Sequence, residues 1–273
     1  MGLELDRIAL DDFSAHPEGL ARAIHAQLPG HQTGAVPVYE IARALDIEEI
    51  REERLSKIEG ALITTPEKSF GSILVNANSS FKRRRFTVGH ELCHFLDLTH
   101  QATASTGFQC AKVSFVIPEY MVRHMRQENE ADRFAIELLA PEARVAAFLK
   151  STPDLEQIIA LSEGLWISKT AAARRYVELH PEPLAVVLSQ HGVISSIVRP
   201  PKFPYLRVWN NHALPATPAR SGNEISDWHE VRATSWLSSP SRSLVRTQTL
   251  YQRDGYAMTL MHADLQPSPL IVS

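Results

Sequence analysis

His90, Glu91 and His94 form a His-Glu-x-x-His run, flanked by Phe86, Val88, Leu92, Phe95 and Leu96. The apolar spacing predicts a largely buried helix over residues 86–98. Residues four apart on a helix share a face, so His90 and His94 can aim two imidazoles at one ion. Glu91, one step round, can reach an attacking water without ligating the ion. Two buried histidines and a buried carboxylate are costly unless hydrogen-bonded, paired or bound to a metal. The chemistry expected is peptide-bond hydrolysis at a zinc ion, with two His ligands and Glu91 as general base. Manganese is the rival ion, because a His2Glu set does not select a metal by ligand type alone.

Two histidines leave a tetrahedral ion short of one protein ligand. Residues 118–140 read as one helix ended by Pro141, and Glu130 there falls close to a stripe with Phe134, Ala135 and Leu138, beside Ala131. A carboxylate among apolar and small residues faces inward, which makes Glu130 the leading third ligand. The other reading of Glu130 is a salt bridge to Arg126 or Arg133. Glu128, Asp132 and Glu137 are rival ligands, with Glu128 and Asp132 expected on the wet side. A second donor for the tetrahedral oxyanion is also needed; His124, Tyr120, His100 and Arg85 are candidates that the sequence does not separate. Asp97 and Asp132 are candidates to accept the remaining N–H of a ligating histidine.

The chain of 273 residues can bury a sizeable core, and two or three domains are expected. Its 28 basic and 31 acidic residues give a net charge of −3, which argues against a surface devoted to nucleic acid. Two cysteines, Cys93 and Cys110, suit a reducing compartment. Cys93 is offset from the ligand face and reads as a small core residue. No signal peptide precedes the first helix and no apolar run approaches a membrane span, so a soluble cytoplasmic protein with no membrane association is expected. The basic run Lys82-Arg83-Arg84-Arg85 is either an anion-binding site or a solvated helix start with one arginine turned inward to orient an active-site group; the second reading is favoured.

The elements that must position these residues follow from periodicity. An amphipathic helix is expected within residues 1–30, with Leu20, Ile24 and Leu28 in phase. Residues 36–45 give a short extended piece and a helix, residues 47–63 contain strand-like pieces, and residues 72–76 (SILVN) read as a buried strand. A strand beside the motif helix offers an edge to which a substrate peptide can add. Residues 99–114 read as a polar loop that could line the cleft. Helices are expected at 155–164 and 168–179, with Ser168 as N-cap; they resemble a helix-turn-helix or form a plain helical hairpin. Strand pairs follow around Gln190-His191-Gly192 and Asp254-Gly255.

Two blocks carry a family resemblance: Arg85-Phe86-Thr87-Val88-Gly89-His90-Glu91-Leu92-Cys93-His94, and the run from Glu130 through Ala131, Asp132, Arg133, Phe134 and Ala135 to Pro141. Together with SILVN they resemble the ImmA/IrrE family of metallo-endopeptidases over residues 36–145. Gly89 and Cys93 depart from the family's usual Ala and Gly, but both are small. The resemblance implies zinc held by His90, His94 and Glu130, with Glu91 as general base. It also implies a helix-turn-helix repressor as substrate, cleaved to release stress-response or mobile-element genes. The fold expected is α+β: a helical zincin-like peptidase domain with a small sheet (1–150), a helix-turn-helix-like segment (151–180) and a small GAF-like sensory domain (181–273). Two alternatives stand beside the enzyme. One is a non-catalytic, metal-stabilised antirepressor that sequesters its partner. The other is a DNA-binding regulator acting through residues 155–179, with Arg174 and Arg175 at the DNA.

Overall fold

A computed structural model describes residues 2–30, 34–101, 108–111, 119–215, 224–239 and 244–264, with backbone alone for 108–111 and 119–121. The chain divides into two compact units, Met1–Arg144 with Glu163–Ser168, and Val145–Ser162 with Lys169–Ser273. Among the described residues no helix is long and apolar enough to cross a membrane.

The first unit is a mixed sheet covered by helices. After a 3-10 turn come α1 (Pro17–Gln27) and α2 (Val38–Ala44), then strands β1 (Ile47–Glu53), β2 (Ile58–Thr64) and β3 (Gly71–Asn76). Helix α3 (Phe81–Leu96) carries the histidine motif; β4 (Phe108–Ala111), α4 (Glu119–Leu139) and the short α5 (Glu142–Val145) follow. The sheet order is β1-β3-β2-β4, with β1 parallel to β3 and the other pairs antiparallel. SILVN is therefore an interior strand, and the sheet ends at β4, inside the stretch expected to be a polar loop. Residues 102–107 and 112–118 of that loop region lie outside the described residues.

Helix α3 begins five residues earlier than its apolar pattern suggests, because Ser80 caps it by accepting a hydrogen bond from the Arg83 N–H at 3.3 Å. The basic run that follows is absorbed locally. Arg83 pairs with Glu59 and Arg84 with Glu52, at 3.7 and 3.2 Å. Arg85 alone turns inward, where it is 3 % exposed and donates to the Val36 carbonyl between the Phe81 and Trp166 rings. It braces the approach to α2 and does not meet the motif histidines, so the inward turn is as expected but the active-site partner expected for it is not found among the described residues.

Two close approaches place α3. A Cβ on Gly60 of β2 would stand 2.3 Å from Thr87 Cγ2 and 2.9 Å from Glu91 Oε1, so the strand can lie against this face of the helix only without a side chain there. Thr87 and Glu91 are one turn apart and thus form the stripe that faces the sheet. On the other side, a Cβ on Gly89 would meet Ala135 Cβ at 3.4 Å, so α3 and α4 approach through their smallest residues. Ala131, Phe134, Ala135 and Leu138 of α4 are fully buried.

The second unit holds α6 (Leu155–Gly164, whose last two residues cluster with the first unit) and α7 (Lys169–Leu179), a five-stranded antiparallel sheet and the single-turn α8 (Ala233–Trp236). Its strands are β5 (Leu184–Gln190), β6 (Val193–Val198), β7 (His229–Val231), β8 (Leu244–Tyr251) and β9 (Tyr256–Asp264), in the order β6-β5-β9-β8-β7. Both expected hairpins are present. Their turns place His191-Gly192 and Asp254-Gly255 at positive φ; the first is a two-residue loop, which needs that conformation, and the second is the four-residue connection 252–255. Ala172, Ala173, Tyr176 and Val177 bury one face of α7, which packs on β5 and β6.

Candidate metal centre

His90 and His94 leave α3 on the side facing α4. Their Nε2 atoms are 3.2 Å apart, and both rings are buried. The carboxylate that joins them is Glu128. Its Oε2 lies 3.4 Å from His90 Nε2 and its Oε1 3.3 Å from His94 Nε2. His90, His94 and Glu128 are the group of described residues close enough to hold a metal ion.

The donor set fits the ion that the motif implies. Bonds of about 2.0–2.1 Å in a tetrahedron separate the ligand atoms by about 3.3–3.4 Å, which is the spacing these three side chains already have. Their protonation states fit as well. Burial pulls His94 down to about 3, so its imidazole is neutral near neutral pH. Burial alone would raise Glu128, but hydrogen bonds and charges from His90 and His94 outweigh it and hold the carboxyl well below its usual range. Neutral imidazole and ionised carboxylate are the forms a metal binds.

Glu130, the expected third ligand, is not the carboxylate that the structure brings to the histidines. Its Oε1 accepts from Arg126 Nε at 2.9 Å and its Oε2 lies 3.2 Å from His100 Nε2. The Arg126 pair is the salt bridge named above as the alternative. Glu128, expected on the wet side, instead shares a stripe with Ala131, Ala135 and Leu138, at steps of three, four and three residues. Because Ala135 is the residue that meets Gly89, two turns back along the same stripe leads to Glu128 beside His90. Glu137 is buried but lies outside the metal-binding group.

The remaining candidates separate by position. Glu91 is fully buried on the sheet-facing stripe against Gly60. Asp132 Oδ1 lies 2.9 Å from His90 Nδ1, so it supports that ligand as anticipated. Asp97 does not reach a ligating ring; it accepts from Ala15 N, Thr99 N and Thr99 Oγ1 and approaches His100 at 3.5 Å. Of the candidate oxyanion donors, His124 lies nearest the ligand carboxylate, with Nδ1 3.6 Å from Glu128 Oε1. His100 sits behind His94, Arg85 is committed to Val36, and the Tyr120 side chain lies outside the described residues. Cys93 is fully buried and burial pushes its thiol well above its ordinary value, which suits a small core residue and not a reactive one.

Lys68 was not found by sequence reasoning. It sits in the β2–β3 turn at positive φ, 7 % exposed, with its ammonium at the C-terminal end of α3. Nothing in its neighbours marks a lysine for burial.

No curated protein matches the chain. Residues 44–176, a span that contains β1 to α4 and every residue of the candidate centre, match the Peptidase M78 family model, described as the IrrE N-terminal-like domain. The match covers just under half of the chain and supports an ImmA/IrrE family metallopeptidase domain over those residues.

Proposed function

We propose that this protein is a zinc-dependent endopeptidase that cleaves a helix-turn-helix transcriptional repressor and so releases stress-response or mobile-element genes. The observation that carries the catalytic part is the convergence of His90, His94 and Glu128 within 3.4 Å of one another, one residue away from Glu91. Three protein ligands leave one position of a tetrahedral ion open, which is the mark of a catalytic site and not a structural one. When bound, the ion supplies Lewis acidity toward the scissile carbonyl and the attacking water. His90, His94 and Glu128 would hold it. Glu91, pinned between α3 and Gly60, would take the proton from the water and return it to the leaving amine. His124 is the residue best placed to donate to the developing oxyanion. Zinc is favoured over manganese because two imidazoles and one carboxylate at tetrahedral spacing suit it.

The substrate class rests on that family match. The compartment proposed is the cytoplasm, where such repressors act. Residues 181–273 are proposed as the sensory part, supported by the separate antiparallel sheet. The DNA-binding alternative has less support: Arg175 is 8 % exposed and lies 3.5 Å from Glu178, leaving Arg174 as the exposed arginine of that pair.

The experiment is co-incubation of the zinc-loaded protein with the helix-turn-helix repressor encoded nearest to it, read by intact-mass spectrometry beside Glu91→Gln. One discrete cut, absent from the variant, is expected. A stable complex with both proteins and no cut would favour the sequestering antirepressor.

A further inference from the structure

We propose that His100 is a positioning residue for the metal ligand His94, set in place by Lys68 and Glu130; this rests on the reading of His90, His94 and Glu128 as the metal site. His100 lies beyond the end of α3, six residues after His94, where no helical spacing relates them. It is nevertheless 2 % exposed, with its Nδ1 2.9 Å from His94 Nδ1.

Lys68 produces this arrangement. Its ammonium donates to the carbonyls of His94, Asp97 and His100 at 2.7, 2.6 and 3.0 Å. The chain leaving α3 is thereby wrapped around one cation at the negative end of the helix. The wrap turns the His100 ring back against the His94 ring, with centroids 4.9 Å apart.

Hydrogen-bond accounting then gives the contact a direction. His94 Nε2 faces Glu128 and His90, so a metal needs the lone pair there. The proton of neutral His94 must then sit on Nδ1 and be donated. The acceptor is His100 Nδ1, which places the His100 proton on Nε2. That atom faces Glu130 Oε2 at 3.2 Å and Asp97 Oδ2 at 3.5 Å, both acceptors. Arg126 holds the other Glu130 oxygen. Donation therefore runs one way, from His94 to His100 to Glu130. The reverse order would put a proton on the His94 nitrogen that must bind the ion and would aim the bare His100 Nε2 at two carboxylates. The two ligands are thus supported differently, His90 by the half-exposed Asp132 directly and His94 through a buried relay. This also accounts for Glu130, a carboxylate turned inward beside an apolar stripe that is not a ligand.

The test measures zinc affinity of the full chain by competition with a chromophoric chelator. His100→Asn keeps an acceptor at the Nδ1 position; His100→Phe keeps the ring but has none. Loss of an outer hydrogen-bond partner costs about 10- to 100-fold in metal affinity, so His100→Phe is expected to fall by that amount and His100→Asn to stay within about threefold of the parent. The visible spectrum of the cobalt-loaded Asn variant should match the parent, and that of the Phe variant should shift. Equal affinities for parent and Phe variant, or equal losses for Phe and Asn, would overturn the proposal. Should the Phe variant not fold, Glu130→Leu against Glu130→Gln asks the same question from the far end: loss with Leu and retention with Gln supports the relay, and equal behaviour overturns it. His94→Ala separates the two readings, because stoichiometric zinc binding that survives that substitution would mean that the site itself is misplaced.

Discussion

Replacing Glu128 by glutamine asks which carboxylate of α4 completes the metal site. Each Glu128 oxygen faces one histidine Nε2, at 3.4 and 3.3 Å, whereas Glu130 faces Arg126 and His100. Structural zinc sites gain about 10–16 kcal/mol on binding, so one ligand in four is worth about 3–4 kcal/mol, or about 10²–10³ in affinity. Glu128→Gln removes the negative charge and puts an amide NH2 where one oxygen stood, and should lose most of that. Glu130→Gln keeps an acceptor for His100 and should stay within about tenfold of the parent, as an outer partner does. The assay is titration of metal-stripped protein with zinc against a chelator of known affinity, with circular dichroism to confirm that both variants fold. If Glu130→Gln lost as much as Glu128→Gln or more, the assignment of the ligand from side-chain spacing would be wrong.

Three further outcomes are expected. Gly60→Ala should destabilise the protein by about 1–3 kcal/mol in chemical denaturation, because its Cβ would stand 2.3 Å from Thr87 and 2.9 Å from Glu91, and peptidase activity should fall while bound zinc is unchanged. Ser80→Ala should cost about 1 kcal/mol through loss of the α3 cap; no change in the unfolding midpoint would show that the cap does not hold the helix start. The metal-free protein should lose stability as pH falls below about 6.5, the value of an unfolded histidine. Burial lowers both His25 and His180, whose Nε2 atoms donate to the Leu138 and Lys150 carbonyls, so between the folded and unfolded values the unfolded chain binds protons that the folded one does not. Urea midpoints at pH 7.5 and 5.5 measure this, and His25→Gln, which keeps a donor but does not titrate, should flatten the profile.

Features that depend on local spacing could be read from the sequence. His90 and His94 share a face because they are four apart, and α4, the two late hairpins and the inward turn of one arginine from the basic run followed from period and composition. What the sequence withheld depends on which elements meet. Glu128 and Glu130 each lie near an apolar stripe of α4, and the choice is made by Gly89 meeting Ala135, a contact between residues 46 positions apart. The pairing of two small residues was visible in both blocks and would have pointed to Glu128 had it been used as a close-approach signal. Lys68 and His100 carried no such mark. A turn lysine and a polar residue after a helix are ordinarily solvated, and only the carbonyls gathered at the end of α3 give this lysine reason to be buried. The strand β4 was hidden by its four-residue length.

The small-residue contact between α3 and α4 has a thermodynamic reach beyond the site. The ligands come from two helices, and the unfolded chain holds no such set, so the ion binds the packed pair and not its separate parts. Occupancy and helix docking are then one linked equilibrium: an ion at 100 times its dissociation constant adds about 2.7 kcal/mol to the folded state. A larger residue at position 89 would lengthen the gap that the three donors must span and weaken binding without touching a ligand. The width of a glycine–alanine contact thus serves as the gauge of the ion's cage, and the free concentration of the ion sets how firmly α4 is held to the helix that carries Glu91.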